Sequence, residues 1–140
     1  MEGCVLQEQV RLMVRAEVGC PPVHVETTAA WMAALADRLG LEGLLPPRCR
    51  YTEDPGHRGM SCVAALERSQ VSLHCWDEMD PAVMQLDVHA AGVIDVDVVV
   101  EAMSVFEPRR VLIRCEGQVE GARSVREEIV FEPKRRGESL

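Results

Sequence analysis

Residues 82–90 carry the sequence AVMQLDVHA, in which apolar and polar side chains alternate. The apolar set falls on one side, and the other side includes Gln85, Asp87 and His89. A period of two residues predicts a strand with one buried face. Residues 60–66 and 69–76 are also predicted as strands, and residues 77–81 are predicted as the turn that leads into 82–90.

The remaining elements surround this core. They are predicted as a strand over 9–18, a helix over 26–39, a helix over 95–105, and strands over 110–115 and 125–131. Thr27 or Thr28 is predicted to cap the first helix, and Gly40 to end it. This order predicts an α+β two-layer sandwich, with a mainly antiparallel sheet and two helices on one face. We expect one domain over 1–133 and a polar tail over 134–140.

Composition limits the possible functions. The chain has 140 residues, a net charge of −8 and 47% hydrophobic residues, which is typical of a single domain with a substantial core. The acidic balance argues against a nucleic-acid partner, which requires a basic surface. No apolar run predicts a membrane span or a secretion signal, so we expect a cytoplasmic protein without a membrane partner.

The six cysteines have no pair at zinc-ligand spacing, so we expect no metal site. Reduced thiols are the simpler interpretation of a cytoplasmic chain. Cys62 and Cys75 are predicted to be small buried residues, and Cys75 is also close enough in sequence to be a substitute proton donor.

Polar residues within and beside the predicted strands form the candidate site: Ser61, Ser69, Ser72, His74, Trp76, Glu78 and His89. Residues 68–78 read RSQVSLHCWDE. This stretch resembles S-adenosylmethionine decarboxylase of the small prokaryotic type. That family has Glu-Ser-His, an apolar residue, Ser or Thr, an apolar residue, and then His-Thr-Trp-Pro-Glu. The serine, histidine, tryptophan and glutamate of the motif match this chain without a gap, and the order of elements follows the family over most of the chain.

The resemblance implies that Ser69 is the precursor of a pyruvoyl group. In the family the motif serine attacks the carbonyl carbon of the preceding residue, and the chain is cut, here between Arg68 and Ser69. The resulting carbonyl forms a Schiff base with the substrate amine and takes up the electrons released as carbon dioxide leaves, without a metal. The resemblance assigns His74 as the acid and base of self-cleavage. It implies that Ser61 hydrogen-bonds the attacked carbonyl or assists the ester step.

The resemblance also implies a substrate and a partner. Glu78 is expected to hold a cationic or hydroxyl part of the substrate. Trp76 either packs against its neighbours or stacks on the substrate's sulfonium or adenine. S-adenosylmethionine is the expected substrate, with a product that feeds polyamine synthesis. Two processed chains are expected to pair as a homodimer that shares its active sites.

Three positions depart from the family. Arg68 and Gln70 stand where the family has glutamate and histidine, and His89 stands where it has the cysteine that protonates the substrate carbon. Histidine also donates protons, so His89 is the candidate replacement. These departures leave three outcomes open: decarboxylation of S-adenosylmethionine, decarboxylation of another amino acid such as ornithine or arginine, or an unprocessed homologue that binds a ligand or a partner subunit.

Overall fold

The computed structural model describes residues 9–41, 45–66, 68–119 and 122–131. In chain order the elements are β1 (Gln9–Val18), α1 (Val25–Arg38), β2 (Arg48–Thr52), β3 (Gly59–Leu66), β4 (Ser69–Trp76), β5 (Ala82–Ala91), α2 (Val96–Met103), β6 (Pro108–Val119) and β7 (Ala122–Phe131). A short 3-10 turn, Ser104–Phe106, follows α2. The tail predicted from residue 134 and the thiol of Cys4 lie outside the described residues.

The strands form one antiparallel sheet in the order β2-β3-β4-β5-β1-β6-β7. Both helices bury side chains in the same core as one face of this sheet, including Met32, Leu35, Val99 and Met103. The helices also contact each other, because Trp31 Nε1 donates a 2.8 Å hydrogen bond to the carbonyl of Ala102. The predicted two-layer α+β sandwich is therefore confirmed.

The sheet has two unlike faces. Along β5 the side chains at 82, 84, 86, 88 and 90 are buried against the helices, and those between them are more accessible. In the part of the chain that the structure describes, no helix or strand covers this second side of the sheet, which we call the open face. Side chains alternate between the two faces along each strand. The residues that face the helices therefore determine which residues lie on the open face.

Two local predictions differ from the structure. Neither Thr27 nor Thr28 caps α1: the cap position is His24, and the Thr28 hydroxyl donates instead to the carbonyl of His24 at 2.8 Å from within the helix. The edge strand β2 was not predicted, because its five residues include two arginines and form no long apolar pattern. At α2 the N-cap is Asp95, whose carboxylate accepts from the backbone N–H groups of Asp97 and Val98.

The expectation of reduced thiols is wrong for one pair. Cys49 on β2 and Cys62 on β3 face each other across the two strands and form a disulfide. The pairing follows from the β2–β3 register, which the sequence pattern did not reveal. Cys62 and Cys75 are both buried, as predicted.

We expect Cys49→Ala to destabilise the oxidised protein. The disulfide joins residues 13 apart in sequence, and a crosslink of that length contributes about 3 kcal/mol, largely through the unfolded chain. Urea unfolding measures the loss. A reductant should lower the stability of the wild type to that of the variant and leave the variant unchanged. Cys20→Ala, at an exposed free thiol, is the control, and equal stability of Cys49→Ala and the oxidised wild type would contradict the prediction.

Candidate active site

The residues predicted for the site lie on a few strands of the sheet, where they form two rows across the open face. One, the His74 row, contains residues that face one another from β2 to β1: Arg50, Ser61, His74, Gln85 and Arg15. The other, the His89 row, runs from β3 to β6: Ala65, Gln70, His89, Arg11 and Glu116. The register of the strands thus sorts the candidate residues into two groups.

The first group is built on Ser61 and His74. They face each other across β3 and β4, and Ser61 Oγ lies 3.2 Å from His74 Nδ1. The rings of His74 and Trp76 stack with centroids 6.0 Å apart, since both side chains leave β4 on the open face. Since Nδ1 is within hydrogen-bond distance of the serine, Nε2 is the ring nitrogen through which the accessible imidazole can exchange a proton with another group. A serine paired with a histidine can transfer a proton to or from a group that approaches this face.

The second group lies at the start of β4. Ser69 is the first residue of that strand and is paired with Leu66, so that only residues 67 and 68 connect β3 to β4. The Ser69 side chain is half-buried, and Arg68 is exposed in the turn. Gln70, the next residue, faces His89 on β5. The bond between Arg68 and Ser69 therefore lies at a tight hairpin turn, with His89 on the neighbouring strand.

The two groups are far apart within one chain. A strand advances roughly 3.3 Å per residue, so the five steps from Ser69 to His74 span about 17 Å. A histidine side chain is much shorter than that distance. The structure therefore brings Ser61, His74 and Trp76 together, and it pairs Gln70 with His89. Ser69 begins the same strand but alternates with Gln70, so the period of the strand places it on the side of Val71 and the core. The two groups are not joined within one chain.

Glu78 belongs to neither group. Its carboxylate accepts a 2.7 Å hydrogen bond from the backbone N–H of Gly56 and so fastens the loop between β2 and β3. Its neighbour Asp77 accepts hydrogen bonds from the Tyr51 hydroxyl and from Arg58 Nε, both at 2.7 Å. The sequence pattern missed this cluster because Asp77 and Arg58 lie in regions predicted only as a turn and a loop.

A glycine holds the same corner of the sheet together. Gly59 has a φ of +150°, and a Cβ placed there would overlap the carbonyl oxygen of Cys75 on β4. Only glycine permits such a close approach of two backbones. It allows β3 to begin directly beside the end of β4.

Cys75 is not placed as a proton donor for the open face. It alternates with His74 along β4 and is directed toward the helices. Burial, assisted by the nearby charge of Asp77, raises the pKa of the Cys75 thiol to about 12. The thiol is therefore neutral near pH 7 and on the opposite face from Ser61 and His74.

A polar network beside the His89 row was not predicted. Asp87 accepts hydrogen bonds from Arg11 at 3.2 Å and from the side-chain amide of Gln85 at 3.0 Å. Polar residues occur at alternate positions in both β1 and β5. They become neighbours only when these strands pair, so the sequence of either strand alone does not reveal the network. Next to this network is a depression of about 180 Å³ lined by Arg11, Met13, Gln85, Arg114 and Glu116.

Two features are absent from the part of the chain that the structure describes. Within residues 9–41, 45–66, 68–119 and 122–131, no three His, Cys, Asp or Glu side chains are grouped so as to hold a metal ion. Neither described helix is long and apolar enough to span a bilayer.

Comparison with known proteins yields a structural match. No family model and no curated protein matches this sequence. The crystal structure of the adenosylmethionine decarboxylase from Aquifex aeolicus matches with a TM-score of 0.55, over 93% of this chain and 98% of that one. The two proteins share a fold. Their sequences are 16% identical, so the likeness covers the arrangement of strands and helices and assigns no residue a role.

The hydrogen bond from the Tyr51 hydroxyl to Asp77 predicts an elevated pKa for Tyr51, the only tyrosine in the sequence. The hydrogen bond to the Asp77 carboxylate, then burial, raises this pKa, because both favour the neutral phenol. Since the pKa is raised in the folded state, the associated stability is complete below the ordinary value of about 10 and is lost as the pH rises through the folded value. Tyrosinate absorbance should show one transition above the ordinary value.

Asp77→Asn should move that transition down, because the amide accepts the same hydrogen bond without the negative charge. Glu78→Gln is the matched control, since it removes an adjacent charge that does not contact Tyr51, and it should leave the transition in place. An unchanged Tyr51 titration in Asp77→Asn would exclude this role for Asp77.

Proposed function

We propose that this chain is a pyruvoyl-dependent decarboxylase that cuts itself between Arg68 and Ser69. The observation that carries the proposal is the 3.2 Å contact between Ser61 Oγ and His74 Nδ1. These are the two residues that the sequence resemblance assigns to self-cleavage, and both side chains are exposed, so the core does not require them. The fold shared with an adenosylmethionine decarboxylase supports the same conclusion.

The proposed cleavage uses groups of the chain itself. Ser69 Oγ attacks the carbonyl carbon of Arg68, the C–N bond breaks, and the amide becomes an ester with a free amine on Ser69. Loss of the Ser69 Cα proton then breaks the Cβ–Oγ bond and releases chain 1–68 as a carboxylate. The dehydroalanine left on chain 69–140 takes up water and loses ammonia, which gives the pyruvoyl group. His74 would carry the protons, and Ser61 would hydrogen-bond the attacked carbonyl or assist the ester step.

The position of Ser69 fits a group formed in this way. It begins a strand directly after a two-residue connection, and its side chain is half-buried. His89 lies on the next strand, where it faces the following residue, Gln70. The pyruvoyl carbonyl would supply an electron sink for the carboxylate that leaves the substrate. His89, in place of the family cysteine, would then donate the proton that the substrate carbon requires.

The distance within one chain leads us to propose a homodimer. His74 is about 17 Å from Ser69 along β4, so the base must come from a second copy. A two-fold rotation that lays one open face on another would place the His74 row of each copy over the His89 row of the other. Exposed apolar side chains on this face, Val63 at 42% and Trp76 at 38% exposure, would be covered by that contact.

S-adenosylmethionine is the proposed substrate, in polyamine synthesis, and ornithine or arginine is the alternative. Within the proposed dimer, Trp76 and Glu78 lie beyond the His74 row and would approach the Ser69 end of the other copy. Carbon dioxide release from the three compounds distinguishes them. A His89→Cys variant with faster turnover of S-adenosylmethionine would indicate that the histidine had redirected the site.

A second candidate is an unprocessed homologue without catalysis. The residues on either side of Ser69 favour it, because Arg68 and Gln70 replace the glutamate and histidine of the family motif. Both candidates keep the fold, and they differ in whether the chain is cut.

We expect the purified 15.5 kDa protein to separate on a denaturing gel into chains 1–68 and 69–140, the second blocked at its N-terminus in mass spectrometry. Ser69→Ala should remain intact because it lacks the attacking hydroxyl, and His74→Ala should be cut at least about 100-fold more slowly because the proton carrier is missing. Ser104→Ala, at an exposed serine in the 3-10 turn after α2, is the control. A single intact band of wild type after long incubation would support the unprocessed homologue.

The proposed dimer makes a separate prediction for mixed variants. His74→Ala keeps Ser69 but lacks the base, and Ser69→Ala keeps the base but lacks the nucleophile. When the two are co-expressed with different tags, the His74→Ala chain should be cut and the Ser69→Ala chain should stay intact. If neither chain is cut in a mixture whose dimers are verified by tag capture, the base is not supplied by the second copy.

A further inference from the structure

Arg68 is the residue before the proposed cut, and its side chain is available to a second copy of the chain. It is exposed in the two-residue connection between β3 and β4. It forms no ion pair with any residue that the structure describes. Neither the core nor the charge network of the open face therefore explains an arginine at this position.

The two-fold rotation proposed above determines what Arg68 meets. Because it exchanges the two rows, His74 of one copy lies over Gln70 of the other on the same strand. The axis then crosses β4 at Ser72, midway between them. Positions an even number of residues apart share a face, so the period of β4 keeps 68 and 76 on the open face, four residues to either side of the axis. Arg68 of one copy thus lies over Trp76 of the other.

Trp76 presents a surface that suits a guanidinium group. Its ring stacks with that of His74, and the residue is still 38% exposed, so part of the indole is uncovered. A guanidinium group over a tryptophan ring is attracted by the ring quadrupole, and tryptophan is the side chain that attracts cations best. Packed sheets lie about 10 Å apart, and two side chains as long as these would lie side by side across that gap.

We propose that Arg68 of each copy stacks on Trp76 of the other and so holds the bond to be cut beside the second copy's His74. The proposal rests on the dimer of the proposed function. The bond joins residue 68, over Trp76, to residue 69, and residue 70 lies over His74. The bond is therefore bracketed by the two aromatic side chains of the second copy. Arg68 is in this role a positioning residue, since its side chain contacts no reacting atom.

Positions 68 and 76 do not meet within one chain. Eight steps along a strand span about 26 Å, which is more than both side chains together can cross. Any energetic coupling between Arg68 and Trp76 therefore arises between copies. This distinguishes the proposed contact from an effect on the fold of a single chain.

The test uses chains that carry Ser69→Ala and stay uncut, with sedimentation equilibrium to measure the dissociation constant of the dimer. Arg68→Gln and Trp76→Leu should each raise it by about tenfold, because a symmetric dimer loses the contact twice. The double variant should be no weaker than either alone, and Arg68→Lys, which keeps a cation, should be affected less than Arg68→Gln. Arg38→Gln, at an arginine of α1, is the matched control and should change nothing.

A mixture of the two single variants gives a second measurement. Each homodimer lacks both contacts, whereas the mixed dimer keeps one, between Arg68 of the Trp76→Leu chain and Trp76 of the Arg68→Gln chain. With different tags, mixed dimers should rise from the half expected for random pairing to about three quarters of all dimers.

Positioning is measured separately in chains that keep Ser69. At concentrations that saturate the dimer, Arg68→Gln should be cut at least about tenfold more slowly than wild type, because the bond is no longer held beside the base. Arg68→Lys should recover part of the rate. Equal rates in Arg68→Gln and wild type would overturn the positioning role.

The remaining outcomes separate this contact from the proposed function. Additive effects in the double variant, or random pairing in the mixture, would overturn the contact and leave the dimer in place. A Ser69→Ala chain that stays monomeric at every concentration would overturn the contact and the proposed dimer together. An uncut wild type whose Ser69→Ala form shows the coupling would support the contact and overturn the proposed cleavage alone.

Discussion

The two-residue period of the strands determines which side chains pack against the helices and which lie on the open face. In β4 it directs Val71, Leu73 and Cys75 to the core and His74 to the opposite side. Burial of the apolar set stabilises the fold at roughly 25 cal/mol for each Å² removed from water, so a slip of one residue would be costly. The contact between Ser61 and His74 is thus maintained by the core, although neither residue belongs to it.

The same period explains what the sequence predicts well. The pattern of β5 identifies a half-buried strand, and the positions of β3, β4 and both helices follow from similar patterns. In these elements the local pattern of apolar residues predicts the same structure that tertiary packing stabilises. Within the site, the family resemblance names Ser61 and His74 as candidates, and the contact between them becomes visible only in the register of β3 and β4.

Features that arise only after pairing were not predictable. The disulfide between Cys49 and Cys62 requires the short strand β2, which has too few residues to show a period. The cluster around Asp77 joins a turn to a loop across 19 residues, and the bond between Arg11 and Asp87 spans 76. Side chains so far apart in sequence become neighbours through the sheet topology, which a local pattern does not contain.

The charge of the whole chain gives little information about the face where the chemistry is proposed. The net charge is −8, yet the open face carries more arginines than carboxylates among its described side chains. The arginines are Arg11, Arg15, Arg48, Arg50 and Arg114, and the carboxylates are Glu17, Asp87 and Glu116. The acidic total therefore does not describe this face, and it gives no support for the charge of the proposed substrate.

This local charge also constrains how two copies could meet. A two-fold rotation that exchanges the two rows brings Arg11 of one copy toward Arg15 of the other, so the contact places like charges near each other. Part of this repulsion is removed beforehand, because Arg11 is already paired with Asp87 in its own chain. The attraction must then come from apolar side chains such as Val63 and Trp76, whose burial does not depend on charge. In the proposed dimer the Arg11–Asp87 pair would therefore reduce the repulsion between the two faces, and the apolar contacts would have to exceed what is left of it.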